Sequence, residues 1–243
     1  MLEQARAELA PTGVLRAGIN LSNFLLVTGR SASGEPEGVS PDMARAVADR
    51  LGVAVEYISF QTPGELADAA TDDVWDIGNI GAEPERAKHI AFTAAYCEIE
   101  STYLVPAGSP IQSIEEVDRE GVRIAVYGRA AYGLWLKDNI RHAELVATDG
   151  MDASFDLFVK QKLDALAGLR PRLIKDVERL PGSRLLDGKF SAVQQAIGTK
   201  PDRKTGAAFL SSFVEEAKAS GFVAGLIRKH GVEGRLMVAP PAA

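Results

Sequence analysis

The chain has one cysteine, Cys97, three histidines and two tryptophans in 243 residues, and these shortages exclude several kinds of protein. A lone cysteine can form no intramolecular disulfide and no cysteine-based zinc site. His89, His142 and His230 are far apart, with no His-x-x-x-His or Glu-x-x-His pair for a metal, so no metal site is expected. Positive charge is not in excess either. With 27 Lys and Arg against 33 Asp and Glu, the formal net charge is −6, and the basic residues are scattered, so no nucleic-acid partner is expected. No apolar run approaches the roughly 18 residues of a membrane span. The opening MLEQARAELAPTG lacks the basic and apolar regions of a signal peptide. The chain as given is therefore expected to be either cytoplasmic or an export substrate shown without its leader.

What is present is a globular composition, 46% hydrophobic and 25% charged. At roughly 150 residues per domain the length corresponds to about 1.6 domains, either one large domain or two small lobes. Val14 to Ile19 (VLRAGI) reads as a strand, followed by a polar, glycine-rich loop. A helix then opens with Ser40 as N-cap and Pro41 in its first turn, carries Met43, Ala46, Val47 and Leu51 on one face, and stops at Gly52. VAVEYISF is the next strand. Thr62-Pro63-Gly64-Glu65 fits a capping box for a helix presenting Leu66, Ala69, Ala70 and Val74, and DIGNI (76–80) is a third strand.

Alternation of strand and helix argues for a mostly parallel sheet with helices on both faces. Ligands of such sheets sit beyond the carboxyl ends of the strands, which directs attention to the loops after Ile19, Phe60 and Ile80. ESTYLVPAGSPI leaves this unit as a strand, and its Pro/Gly/Ser cluster at 106–110 marks a boundary. A second α/β unit follows, with a capping box at Ser113 and Glu116, the strand RIAVY, a helix over Ala130 to Ile140, and a helix bearing Phe155, Phe158 and Val159. The strand DALAGL and a helix with Leu173, Val177 and Leu180 complete it. FSAVQQAIGT returns the chain to the first lobe, where helices bearing Leu210, Phe213, Val214 and Ala217, and then Phe222 to His230, pack. The expected division is 1–107 plus 195–243 for lobe 1 and 108–194 for lobe 2. No repeat of fixed period is visible, and the VAPPAA tail is expected to fray.

Enzyme signatures are mostly missing. GRAAYG (128–133) has glycines at P-loop spacing after a strand, but Leu134-Trp135 stand where Lys-Ser/Thr is needed, and there is no G-x-S-x-G elbow. Neither a catalytic residue nor a cofactor is assigned. Arginines do recur at the carboxyl ends of strands: Arg86 past DIGNI, Arg129 past RIAVY and Arg170 past DALAGL. A guanidinium fork can hold a carboxylate bidentately, and the amides of a helix start, here Gly128 to Ala130, add to an anion site. Phe24, Phe60 and Tyr132 can wall such a pocket, while Trp75 and Cys97 read as packing residues. Asn20, Asn79, Ile80 and Glu83 lie in the same strand-end positions, and alternation turns one of Gln194 and Gln195 inward, with Gln195 chosen.

The run DIGNIGAEPERAKHIAFTAAY resembles a stretch of the extracellular solute-binding proteins, family 3, in which a strand beginning with Asp leads to Pro-Glu-Arg and then Phe-Ser/Thr and an aromatic residue. GEPEGVSPDMARAVADRLG, GVRIAVYGRAAYGLWL and KLDALAGL are similar to further segments of that family, in order, over about residues 13 to 230. The resemblance implies a type II periplasmic-binding-protein fold of two α/β lobes joined by two hinge strands, with a ligand in the cleft between them. It also implies a partner permease of an ABC importer and a monomeric receptor for polar amino acids, in which Arg86 grips the ligand carboxylate and the turn at Gly128 to Ala131 assists. Where the family commonly has Thr-x-Thr-Pro-Glu-Arg, this chain has Gly81-Ala82-Glu83-Pro84 without the hydroxyls. The usual acidic partner of the ligand ammonium is replaced by Gly168-Leu169-Arg170. The expected ligand is a small carboxylate, with or without an amine. Two alternatives stay open: a dehydratase-like enzyme on the same scaffold, with Glu83 as its acid or base, and a cytoplasmic ligand sensor.

Overall fold

The computed structural model describes residues 2–242. The chain divides into two compact units, residues 1–98 with 194–243 and residues 99–193. It therefore passes from one unit to the other twice. The first passage lies between Glu98 and Ile99, nine positions (107 against 98) before the boundary suggested by the Pro/Gly cluster. The reason is that the strand containing it runs unbroken from Cys97 to Val105, and the prolines only terminate that strand.

Unit 1 opens with a helix that the periodicity did not reveal, α1 (Leu2–Leu9), of which Ala5 and Leu9 are buried. Strand β1 (Val14–Asn20), the short hairpin strands β2 (Gly29–Arg30) and β3 (Pro36–Glu37), helix α2 (Val39–Leu51) and strand β4 (Ala54–Phe60) follow. Helix α2 is capped by Gly38, not Ser40: Gly38 has φ 152°, and a Cβ there would lie 2.2 Å from the Leu26 carbonyl oxygen. Ser40 sits inside the first turn and uses its hydroxyl elsewhere. Gly52 ends the helix in the left-handed conformation, as its position predicts.

Helix α3 (Pro63–Asp68) is capped by Thr62, whose Oγ1 accepts from the Glu65 amide at 3.1 Å, while the Glu65 carboxylate accepts from the Gln61 amide at 3.0 Å. It is shorter than the apolar pattern suggests. A 3-10 turn at Ala69–Thr71 ends it, and Val74 is left exposed. Strand β5 (Ile77–Gly81), the short β6 (Ala91–Phe92) and the first residues of β7 (Cys97–Val105) complete this half of the unit. Trp75 is buried and its indole donates to the Leu66 carbonyl at 3.2 Å, so it is core. Cys97 is buried too, and burial pushes its thiol up.

Unit 2 holds β8 (Arg123–Tyr127), α4 (Ala131–Asn139), β9 (Glu144–Thr148), α5 (Met151–Lys160), β10 (Ala165–Leu169), α6 (Arg170–Arg179), β11 (Arg184–Leu185) and the start of β12 (Ser191–Thr199). Strand β9 was not anticipated, because its pattern Glu-Leu-Val-Ala-Thr is only half buried at a sheet edge. The Ser113 hydroxyl makes no cap; only the Glu116 carboxylate plays its part, accepting from the Gln112 amide at 2.7 Å. Phe155, Phe158, Leu166 and Leu173 form the core of this unit, whereas Val159 is exposed. The chain returns to unit 1 through β12 into α7 (Lys204–Ala219), α8 (Phe222–Lys229) and β13 (Met237–Val238). The tail is not frayed at its start: β13 pairs with β7, and Ala239 is buried.

In unit 1 the strands run β4-β1-β5-β12, with the first three parallel and β12 antiparallel to β5. In unit 2 they run β7-β10-β8-β9, with β10, β8 and β9 parallel and β7 antiparallel to β10. Each unit ties its central strands with an aspartate placed just before a strand. Asp76 accepts from the Arg16 amide (3.0 Å) and guanidinium, and its own amide donates to the Arg16 carbonyl at 2.8 Å. Asp164 makes the same exchange with Arg123, at 2.8 and 3.0 Å.

Candidate functional site

Sheet register gathers the unit 1 candidates. Asn20 pairs with Phe60, and Ile19 with Asn79, while β12 sets Gln195 opposite Gly81 and Ala196 opposite Ile80. Asn20, Phe60, Asn79, Ile80 and Gln195 thus share the carboxyl end of one sheet, where α/β folds bind ligands. Glu83 and Arg86 follow in a tight turn, stabilised by the Ala87 amide donating to the Glu83 carbonyl (2.9 Å) and by the His89 and Ile90 amides donating to Arg86 (3.0 Å each). Arg86 is only 5% exposed and Glu83 8%. The Arg86 Nη1 donates to the Gly81 carbonyl at 2.8 Å, which fixes the guanidinium at the end of β5.

Neighbouring polar groups hold this end of the sheet in place. The Ser40 hydroxyl lies 2.9 Å from that of Tyr96, and the Asn79 amide is 3.5 Å from the Ser40 carbonyl. Burial pushes the Tyr96 phenol up, so it stays neutral and serves as a hydrogen-bonding anchor. Sequence reasoning missed this pair, having used Ser40 as a cap; the signal available was a serine at the start of an apolar helix and a tyrosine ending the Asp-to-Tyr run. The Asn20 side chain is engaged locally, its Oδ1 accepting from the Ser22 amide (3.1 Å) and hydroxyl (2.7 Å) to set the loop that carries half-buried Phe24.

The unit 2 candidates divide. Gly128, Arg129 and Ala130 form the turn from β8 into α4, with the Ala130 amide donating to Tyr127 at 3.2 Å. Ala130 is the N-cap and offers no side-chain bond to the first amides of the helix. Gly133 is required there, because a Cβ would lie 2.2 Å from the Tyr127 carbonyl oxygen. Arg129 is exposed. Tyr132 is buried, with Arg172 and Asp176 in its surroundings. Arg170 starts α6, its Nε donating to Glu100 at 3.0 Å and its Nη2 to the Gly188 carbonyl. Its fork is therefore already occupied within the unit. Two surface grooves of unit 1, between α2 and α7–α8 and beside β3–β4, contain none of the predicted site residues. Among the described residues no group of three or more His, Cys, Asp or Glu could hold a metal, and no helix is long and apolar enough to cross a membrane.

With this geometry in view, residues 20–233 match the family model of the bacterial extracellular solute-binding proteins, family 3. The chain belongs to this family. No curated protein matches it. Among solved structures, the solute receptor for L-cysteine of Neisseria gonorrhoeae is 18% identical, with a TM-score of 0.74 over 97% of this chain and 99% of that one. A mutant of ArgBP from T. maritima is 21% identical, with a TM-score of 0.73 over 94% and 100%. An ancestral amino acid-binding protein, a precursor of cyclohexadienyl dehydratase, is 21% identical, with a TM-score of 0.71 over 91% and 97%. At such identities the likeness establishes the fold, the two-unit α/β architecture of type II periplasmic binding proteins. In this solute-binding family member the turn between β5 and β6 that carries Glu83 and Arg86 lies inside the matched region.

Proposed function

We propose that this solute-binding protein captures a small carboxylate at the carboxyl end of the unit 1 sheet, with Arg86 as the group that grips it. The observation that carries this reading is the buried guanidinium of Arg86, fixed by the Gly81 carbonyl at the end of the sheet that also carries Asn20, Phe60 and Gln195. A guanidinium held at the end of a strand presents a planar fork of donors that matches a carboxylate bidentately. On unit 2, the exposed Arg129 and the first amides of α4, which no side chain caps, are anion donors of the same kind. Amino acids are the first ligands to test, because solved relatives of this fold are complexes with lysine and with L-arginine. Glu83 is the acidic group next to Arg86 that an ammonium would select. The proposal includes action as a monomer in the periplasm, handing the ligand to an ABC-type permease; a related solved structure is the substrate-binding protein of an amino acid ABC transporter.

A thermal-shift panel of amino acids, dicarboxylates, aromatic acids and keto acids tests this. A ligand at 100 times its Kd adds about 2.7 kcal/mol of stability. One chemical class is expected to raise Tm in the wild type and to fail in both Arg86→Ala and Arg86→Lys. Equal shifts in the variants would remove Arg86 from the site.

The burial of Glu83 beside Arg86 gives a second reading, an elimination from a bound carboxylate with Glu83 as acid or base. It requires product formation that Glu83→Gln abolishes, and a wild type that binds acids without turnover rules it out.

A further inference from the structure

The two passages of chain between the units are tied together, and to the candidate site, by groups that belong wholly to unit 1. Glu98 is the last unit 1 residue of β7 and Gln194 the first unit 1 residue of β12. The Gln194 Nε2 donates to the Glu98 Oε1 at 2.9 Å. The Gln194 carbonyl accepts from the Ala82 amide at 2.8 Å, next to Gly81 and Glu83, and the Gln195 carbonyl accepts from the Tyr96 amide at 2.8 Å. A third segment covers the same place. In β13, Met237 pairs with Glu98 and Val238 with Cys97, and the Ala239 amide donates to the Tyr96 carbonyl at 3.1 Å. Beyond it the chain stays fastened: the Lys218 Nζ donates to the Pro240 carbonyl at 2.8 Å, and the Glu215 carboxylate accepts from the Ala242 amide at 3.2 Å.

We propose that residues 237–242 are a strap that clamps the unit 1 end of the first passage, and that the strap and the Glu98–Gln194 bond together set ligand affinity. The physical reason is conformational entropy. Two strands alone leave the passages free to flex in the ligand-free protein, and every conformation so gained must be given up when a ligand fixes the loop that carries Glu83 and Arg86. A third strand and a side-chain bond at the last unit 1 residues confine that flexing. Gln194 is then a positioning residue: one end of it holds the passage and its carbonyl holds the loop that carries Glu83 and Arg86. The affinity part of this inference rests on the function proposed above, and the clamp itself does not.

The test has two readouts on the full chain, on a deletion of residues 237–242, on Glu98→Ala and on Glu98→Gln. The first is amide hydrogen exchange of residues 97–100 in ligand-free protein, with thiol labelling of Cys97, the only cysteine, as a second reporter of strap release. The deletion and Glu98→Ala are expected to speed exchange there, while Glu98→Gln, which keeps an acceptor for Gln194, behaves as wild type. The second is Kd for whichever panel ligand stabilises the wild type, expected to rise roughly fivefold to tenfold in the deletion and in Glu98→Ala through faster release. Should the deletion cost too much stability to be handled, Glu98→Ala carries the comparison alone. Unchanged exchange overturns the clamp, and faster exchange with unchanged Kd overturns its link to affinity. If no panel member binds wild type, the proposed ligand class is wrong, and exchange in the free protein still decides the clamp.

Discussion

The two units solve the same local problem with the same residue types and unequal force. In each, an arginine on a central strand (Arg16 in β1, Arg123 in β8) exchanges backbone bonds with an aspartate that precedes a neighbouring strand (Asp76 before β5, Asp164 before β10). In unit 1 the Asp76 side chain is fully buried, gripped by Arg16 at 2.9 Å and by Arg203 from the return segment at 2.9 Å. In unit 2 the Asp164 and Arg123 side chains are each 42% exposed and 3.9 Å apart. A shared motif therefore does not imply a shared energetic role, because the dielectric around a charge pair decides what breaking it costs. The arginines at strand ends teach the same lesson. Arg86 in unit 1 is buried against a carbonyl, while Arg170 in unit 2 is spent on Glu100 and Gly188.

The widest separation between the units is expected in binding. Arg86→Lys removes the fork and should raise Kd roughly a hundredfold or more, as for loss of one partner of a buried charged pair, whereas Arg170→Ala should change it by less than about fivefold. Titration calorimetry of both variants measures the contrast; equal losses would mean that Arg170 leaves Glu100 to reach ligand.

Next comes the paired aspartate experiment. Asp76→Asn leaves two cations facing a neutral amide in the interior and should destabilise by about 3–5 kcal/mol. Asp164→Asn, at the surface, should cost about 0–1 kcal/mol. Urea midpoints at pH 7 decide, and comparable losses would show that the backbone exchange, not burial, carries both clamps. The buried Ser40–Tyr96 bond is intermediate: Ser40→Ala should cost about 1–3 kcal/mol, because it strands a buried phenol.

The smallest expected effect is on pH dependence. Hydrogen bonds from Lys200 and Arg16 hold Asp73 down to about 2. Its folded pKa is thus depressed below the unfolded value, so its stabilising contribution is complete above about pH 4 and is lost as the pH falls toward 2. Asp73→Asn should flatten the decline of the urea midpoint in that window and lower the value at pH 7 slightly, with wild type and variant converging as the pH approaches 2.

Much of this was legible in the residues. Alternating strand and helix patterns, Gly52 at a helix end, Thr62 with Glu65 at a helix start and Pro-Glu-Arg after a strand are local signals, and local backbone preference produced the expected element in each case. Helix α1 was not legible, since two buried residues in eight make too weak a stripe, and Ser40 misled because its hydroxyl serves a tyrosine 56 positions away. The candidate site was half visible. Arginines past strands could be counted, but that Arg170 meets Glu100 and that Tyr132 faces the interior depend on partners distant in sequence.

By itself, then, the sequence determined the α/β class, the order of most of its elements and the family, because periodicity and short motifs are properties of neighbouring residues. Only the tertiary structure decided which aspartate is buried, which arginine is buried at a strand end, and that the last residues return to pair with Cys97 and Glu98. Burial and pairing are set by segments that meet after folding, and electrostatic and hydrogen-bond energies depend on that meeting far more than on residue type.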